Sequence, residues 1–369
     1  MTGTSIDGID CALFDLSAGQ LRQTLSRPIS NQLTAQLRQL CQSQSADIES
    51  MAVADRLLGE EYAIAVIELL DQAQLSKKDI CAIGCHGQTI RHRPARPGNS
   101  KPGFTIQIGD ANTLAQRTGI TVVSDFRRRD IAAGGQGAPL APAFHQAVFA
   151  DPSQDRVVLN IGGVANVSVL PTSGPTLGYD TGPGNTLIDA WTQQNRNQAF
   201  DKDGSWARSG QINSNLLLRL LQHPFLAGPP PKSTGPEEFN LGWVSSVLAQ
   251  TDEPVSSVDV QATLLEFTAV TISEQIRKIF PAGAEVFVCG GGANNKLLME
   301  RLAGQLNQCR LQSTEVLGIG PDWVEAAAFA WLAAQCIQGK PGNLPAVTGA
   351  SEAVVLGAIH RQVDSSIKP

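Results

Sequence analysis

"RVVLNIGGVANVSVL", residues 156–170, is two short apolar runs joined by a glycine pair. Branched and apolar side chains flank Gly162 and Gly163 on both sides, the pattern of two strands connected by a tight turn. Where that turn falls decides the fold. A dinucleotide-binding unit sets its first glycine loop between a strand and a helix; here the glycines lie between strands. The start of the chain behaves alike: "GTSIDG" (3–8) leads into "IDCALFDL" (9–16), in which Ile9, Cys11 and Leu13 alternate with polar or small neighbours. A third glycine segment, "CGGGANN" (289–295), ends the strand pattern "EVFVC" and opens a helix from Lys296. Strands and helices alternate along the chain, which predicts an α/β protein.

Working outward, helical spacing covers 33–42 and 51–74, the latter with Val53, Leu57, Leu58, Val66, Leu69 and Leu70 on one stripe. Strands are expected at 104–110 and 120–126, and helices at 264–279 and 321–335, the last led by Pro321 and Asp322. "GPPPKSTGPEEFN" (228–240) reads as rigid and exposed. The 369 residues are 42% hydrophobic and 17% charged, ordinary for a globular chain with one large two-lobed fold or two domains. A net charge of −6 argues against a nucleic-acid surface. No run approaches the roughly 20 apolar residues of a membrane span, and no signal peptide precedes Thr2. The 7 scattered cysteines indicate reduced thiols and a cytoplasmic setting, with Cys81 and Cys85 as buried strand thiols rather than metal ligands.

Glycines let backbone N–H groups approach phosphate oxygens, Thr and Ser add hydroxyl donors, and a carboxylate can hold Mg²⁺ through its waters. Gly3 to Gly8 supply all three, with Asp7 as the metal carboxylate. Alone, this segment or Gly162–Gly163 is an ordinary turn. Three consecutive glycines at a strand end are costly unless something lies close, and the three segments together point to a nucleotide without a Walker loop. In "GYDTGPGN" Asp180 is expected at a strand end before a loop that cannot be helical, and beside phosphate loops it reads as a general base. An aspartic protease would need two such carboxylates sharing a proton. His86, in "GCHGQTI", faces a ligand or is structural. The arginines of "DFRRRDIAAGGQGAPL" form a solvated run or hold a carboxylate or phosphate.

"GTSIDGID", "GCHGQTI", "DFRRRDIAAGGQGAPL", "NIGGVANVS", "DTGPGN" and "CGGGANN" together resemble, in order and spacing, the anhydro-N-acetylmuramic acid kinases from Gly3 to about Ile359. The resemblance implies a two-lobed actin-like ATPase (ribonuclease H-like) fold with ATP in the cleft. It assigns 1–125 plus 345–369 to one lobe and 126–344 to the other. It implies an enzyme using ATP and Mg²⁺ that takes 1,6-anhydro-N-acetylmuramic acid and water to N-acetylmuramic acid 6-phosphate and ADP in cell-wall recycling, as a cytoplasmic homodimer. Carried over, Gly3, Thr4, Ser5, Ile6, Asp7, Gly8, Ile9 and Asp10 form the first phosphate loop, and Gly162 and Gly163 the second. Gly290, Gly291 and Gly292 lie near the adenosine. Asp180 is the catalytic base, and His86, Arg129 and Glu325 hold the sugar. The family carries a short apolar strand before the first loop. This sequence starts inside that loop, so the expectation is a phosphate turn without its leading strand. The alternatives are an ordinary amino-sugar kinase of this fold and a non-enzymatic actin-like ATP-binding scaffold.

Overall fold

The computed structural model describes residues 1–3, 6, 8–42, 47–95, 102–230, 232–235, 237–251 and 253–362. Thr4, Ser5 and Asp7 of the expected first phosphate loop lie outside the described residues. The chain forms two compact units, one of residues 1–148 with 325–369 and one of residues 149–324. The boundaries therefore differ from those expected at 125/126 and 344/345. The reason is packing: Phe329, Leu332 and Ala333 bury themselves with Val123, Phe126 and Leu140, which keeps the helix from Glu325 onward with the first unit.

Strands are numbered in chain order. The first unit holds β1 (Gly8–Asp15), β2 (Gln20–Pro28), β3 (Ile83–Gly84), β4 (Gln88–Arg93), β5 (Phe104–Ile108) and β6 (Val122–Ser124). The second holds β7 (Arg156–Ile161), β8 (Val164–Leu170), β9 (Leu177–Pro183), β10 (Glu285–Cys289) and β11 (Arg310–Ser313), and the chain returns to the first for β12 (Ala358–His360). The quoted segment is the β7–β8 hairpin. In the second unit the sheet order is β9–β8–β7–β10–β11. β7, β8 and β9 are antiparallel neighbours, while β10 and β11 run parallel to β7. This is the ribonuclease H-like arrangement. Its centre is dry: Leu159, Ile161, Val286 and Val288 pack with Leu264, Phe267 and Ile272 of the helix Ser257–Ile279. That helix begins seven residues before the expected 264 because Ser256 caps it, its hydroxyl accepting from the Asp259 amide.

The first unit repeats the arrangement with a gap. β2 pairs antiparallel with β1, β3 pairs parallel with β6, and β12 adds to β6. Between β1 and β3, where β7 stands in the other unit, lies a cavity of about 820 Å³ lined by Cys11, Leu13, Ile83, Cys85 and Phe329. Met1 sits at its end and exchanges both backbone hydrogen bonds with Asp10, at 2.7 and 2.9 Å. The Ile6 amide donates to the Gly3 carbonyl at 3.2 Å. The helix Ile48–Ala73 covers β1 with Ala54, Leu58, Tyr62, Ala65 and Leu69. Val53 and Leu57, expected on that stripe, are exposed together with Ile64 and Ile67. Small residues at 54, 63 and 65 let the helix sit close, and the larger branched ones fall on its far side. Cys85 is buried, but Cys81 is exposed, contrary to the expectation for it.

Candidate active site

Because β9 is two antiparallel steps from β7, the carboxyl ends of β7, β9 and β10 share one edge of the second sheet. That edge is where open α/β sheets bind ligands. Three of the sequence-predicted segments meet there. The carbonyls of Gly162 and Gly163 accept from the amides of Asn185, Thr186 and Gly184 at 2.8 to 3.1 Å, so the β7–β8 turn is fixed to the start of the helix Thr186–Arg196. The triple glycine lies against the end of β7. A Cβ on Gly290 would stand 2.4 Å from Asn160 Oδ1, and one on Gly292 would stand 2.3 Å from Ile161 Cγ2. Gly290 also has φ of +79°. Gly291 and Gly162 differ: a Cβ on Gly291 would meet nothing within 4 Å, and one on Gly162 only a carbonyl at 3.6 Å. No internal contact requires glycine at those two positions. Bare backbone there leaves room for a ligand, which fits a nucleotide.

Asp180 lies inside β9, opposite Asn166, rather than at a strand end. The β8–β9 ladder continues to Pro183, with a bulge between Ala165 and Asn166. The carboxyl is held from outside the sheet. Thr234 N–H donates to Asp180 Oδ2 at 2.9 Å, and the Asp180 amide donates to the Lys232 carbonyl at 3.0 Å. Burial pushes the pKa up to about 6, against the Thr234 amide and the Lys232 charge, which pull it down. A carboxylate poised there accepts a proton near neutral pH. The segment expected to be merely exposed therefore touches the candidate base, and Gly235 and Phe239 within it are buried. Its proline content signalled rigidity but not the partner it is rigid against.

In the first unit, His86 is buried and tilts against Phe329, ring centroids 4.5 Å apart. The guanidinium that meets it is Arg127: Nε and one terminal nitrogen donate to His86 Nε2 at 3.0 and 2.9 Å, and the other donates to the Gly137 carbonyl at 2.8 Å. His86 Nδ1 lies 2.9 Å from the Gly87 carbonyl. Burial, then Arg127, hold the imidazole well below its usual pKa, so it stays neutral and donates through Nδ1. Glu325 and Asp130 supply the negative charge that offsets the burial of Arg127. Asp130 is fully buried and accepts from the Gly137 amide, Asn343 and Thr348, each at 2.7 Å. The "AAGGQG" loop is thus folded around it. Arg129 is exposed, as is Glu325 in the first turn of the helix Val324–Ile337. Asp10 pairs with Met1, Ile6 and Ile9 are buried, and a Cβ on Gly8 would press to 3.2 Å on the Arg27 carbonyl. Sequence reading missed Arg127, Asp130, Lys232 and Thr234. The three consecutive arginines gave no sign of which one turns inward.

The second unit's five-stranded order, with a glycine turn between antiparallel strands, and a first unit that repeats part of that order define a protein of the actin-like ATPase fold class. The family model for anhydro-N-acetylmuramic acid kinase matches residues 1–362, and the chain belongs to that family. Curated relatives named anhydro-N-acetylmuramic acid kinase include one from Saccharophagus degradans, 49% identical over 362 residues, covering 98% of this chain and 97% of the relative. Another, from Shewanella sp. strain MR-7, is 51% identical over 360 residues, covering 97% and 96%. Among solved structures, a PilM–PilN type IV pilus biogenesis complex aligns over 89% of this chain and 96% of its own, with a TM-score of 0.45 and 13% identity.

Proposed function

We propose that this protein is an ATP-dependent kinase of 1,6-anhydro-N-acetylmuramic acid in cell-wall recycling. Water loses a proton to Asp180 and attacks C1, the C1–O6 bond breaks, and O6 takes the γ-phosphoryl group as its bond to ADP breaks. The products are N-acetylmuramic acid 6-phosphate and ADP. O6 carries no proton in the anhydro sugar, so it becomes a nucleophile only as the bridge opens, and one base serves both events. The observation that carries the reading is the half-buried Asp180 beside the glycine edge, with its pKa raised to about 6. The family of the chain supports the choice of sugar.

Gly162, Gly163 and Gly290 to Gly292 hold the nucleotide in the second unit, and Gly3 to Asp10 are the first phosphate loop by the family's pattern. Asp7 would be the protein carboxylate for Mg²⁺, which would supply positive charge to offset that of the triphosphate. Among the described residues no group of three or more His, Cys, Asp or Glu forms a cage. Mg²⁺ on a triphosphate commonly keeps its waters and uses only one or two carboxylates. His86, Arg129 and Glu325 hold the sugar, with Arg127 orienting the imidazole.

Among the described residues no helix is long and apolar enough to cross a membrane, and all seven cysteines are free. The free thiols support a cytoplasmic setting. The exposed Val53, Leu57, Ile64 and Ile67 support a homodimer contact along the helix Ile48–Ala73. Turnover in ¹⁸O-water, quenched early, tests the chemistry. The label belongs on the anomeric oxygen and not on the phosphate. Label on phosphate, or faster phosphorylation of N-acetylglucosamine than of the anhydro sugar, overturns the reading.

A further inference from the structure

The Thr234 hydroxyl oxygen is buried and, among the described residues, has no hydrogen-bond partner. A buried hydroxyl left unpaired is costly, and in a native protein it calls for a ligand or water. The amide of the same residue is already spent on Asp180 Oδ2. Among the described residues Asp180 Oδ1 has no partner, so a free carboxylate oxygen and a free hydroxyl belong to two residues joined by a hydrogen bond. The segment carrying Thr234 is fastened at its other end. Lys232 Nζ donates to the Phe225 and Leu226 carbonyls at 3.2 and 3.1 Å and stands 4.7 Å from the Phe225 ring centroid. Its own carbonyl takes the Asp180 amide.

We propose that residues 232–234 complete the base site: the Thr234 hydroxyl binds the oxygen that Asp180 Oδ1 deprotonates, and Lys232 is a positioning residue that fixes the segment. A water bridging Oδ1 and Oγ1 satisfies both orphan groups. With its proton directed at Oδ1, its oxygen is free to attack. The ligand class is thus a single water or hydroxyl nucleophile. Of the neighbours packed on Asp180, Asn166 of β8 is neutral, and Lys232 supplies the nearby positive charge; Lys232 in turn feels Lys278 of the helix Ser257–Ile279.

The inference rests on Asp180 being the base, and the experiment separates the two. Steady-state rates are measured on the full chain for Asp180→Asn, Thr234→Val, Thr234→Ser, Lys232→Met and Lys232→Arg, with a pH profile of kcat for the lysine pair. Thr234→Val keeps the amide and the shape. It should lower kcat about tenfold or more with the KM for ATP unchanged, while Thr234→Ser stays near the parent. Lys232→Met removes a charge that favours the carboxylate, so the acid limb should move up by about half a pH unit or more, and Lys232→Arg should hold it in place. Equal rates for Thr234→Val and Thr234→Ser, whether high or low, overturn the hydroxyl's role. A uniform loss in Lys232→Met with the limb unmoved reduces Lys232 to packing and overturns its part. Retained turnover in Asp180→Asn overturns the base assignment itself. An inactive Asp180→Asn beside an unaffected Thr234→Val overturns this inference alone.

Discussion

At the residue scale, Asp180 shows how a catalytic group costs the fold something. Its pKa is raised to about 6 in the folded chain, so the native state binds a proton more tightly than the unfolded chain does. The sign follows: stability falls as pH rises from about 4 through about 6, and the ionised carboxyl is a net cost at pH 8. Asp180→Asn should therefore unfold at higher denaturant than the parent at pH 8, by about 1–3 kcal/mol, the gain vanishing near pH 4. The same variant should lose turnover by about 10³-fold, and the parent's kcat/KM should fall as pH drops through about 6. Urea titrations at the two pH values and an ADP-release assay check this. A variant that is less stable at pH 8 would mean that the carboxylate is held by favourable contacts outweighing its burial. The sequence pointed to this residue through "DTGPGN". It could not show that the strand runs past it, because the β8–β9 pairing that extends β9 to Pro183 is a long-range contact.

At the element scale, the glycine loops divide by what surrounds them. The expectation that "CGGG" serves a ligand was legible from backbone cost alone, yet two of its three glycines answer to Ile161 and Asn160. Gly292→Val should destabilise the second unit by about 1–3 kcal/mol, since its Cβ would overlap Ile161 in a packed core. Gly291→Ala meets nothing and should leave thermal stability within about 1 kcal/mol. If the loop lies on the nucleotide, the alanine weakens ADP binding by calorimetry without lowering the melting temperature. Unchanged ADP affinity would take Gly291 off the site. Periodicity served least well on the helix Ile48–Ala73. Its apolar residues lie on two faces, and local spacing cannot say which face the sheet will take. The small residues Ala54, Gly59, Ala63 and Ala65 mark the inner one.

At the scale of the whole molecule, the α/β class and the hairpin placement of the glycine turns were legible, because alternation and turn residues are local signals. The unit boundaries were not, because the helix from Glu325 joins the first unit through side chains far away in sequence, Val123 and Phe126 among them. The gap between β1 and β3 was legible only as an expectation about the first turn. Its consequence is one of fraying. Each strand of the second sheet's centre is bonded on both sides, whereas β1 from Cys11 to Asp15 and β3 face the cavity with backbone groups unpaired by any described strand. Amides whose neighbours can open independently exchange with solvent faster than those released only by global unfolding. Hydrogen–deuterium exchange should therefore label peptides from β1 and β3 well before those from β7 and β10, and slow exchange in all four would show the gap to be closed in solution. An open strand edge beside an apolar hollow is also the place where chains join edge to edge. On heating, chains of this protein should therefore associate first along the β1 and β3 edges, while the strands at the centre of the second sheet, bonded on both sides, stay folded.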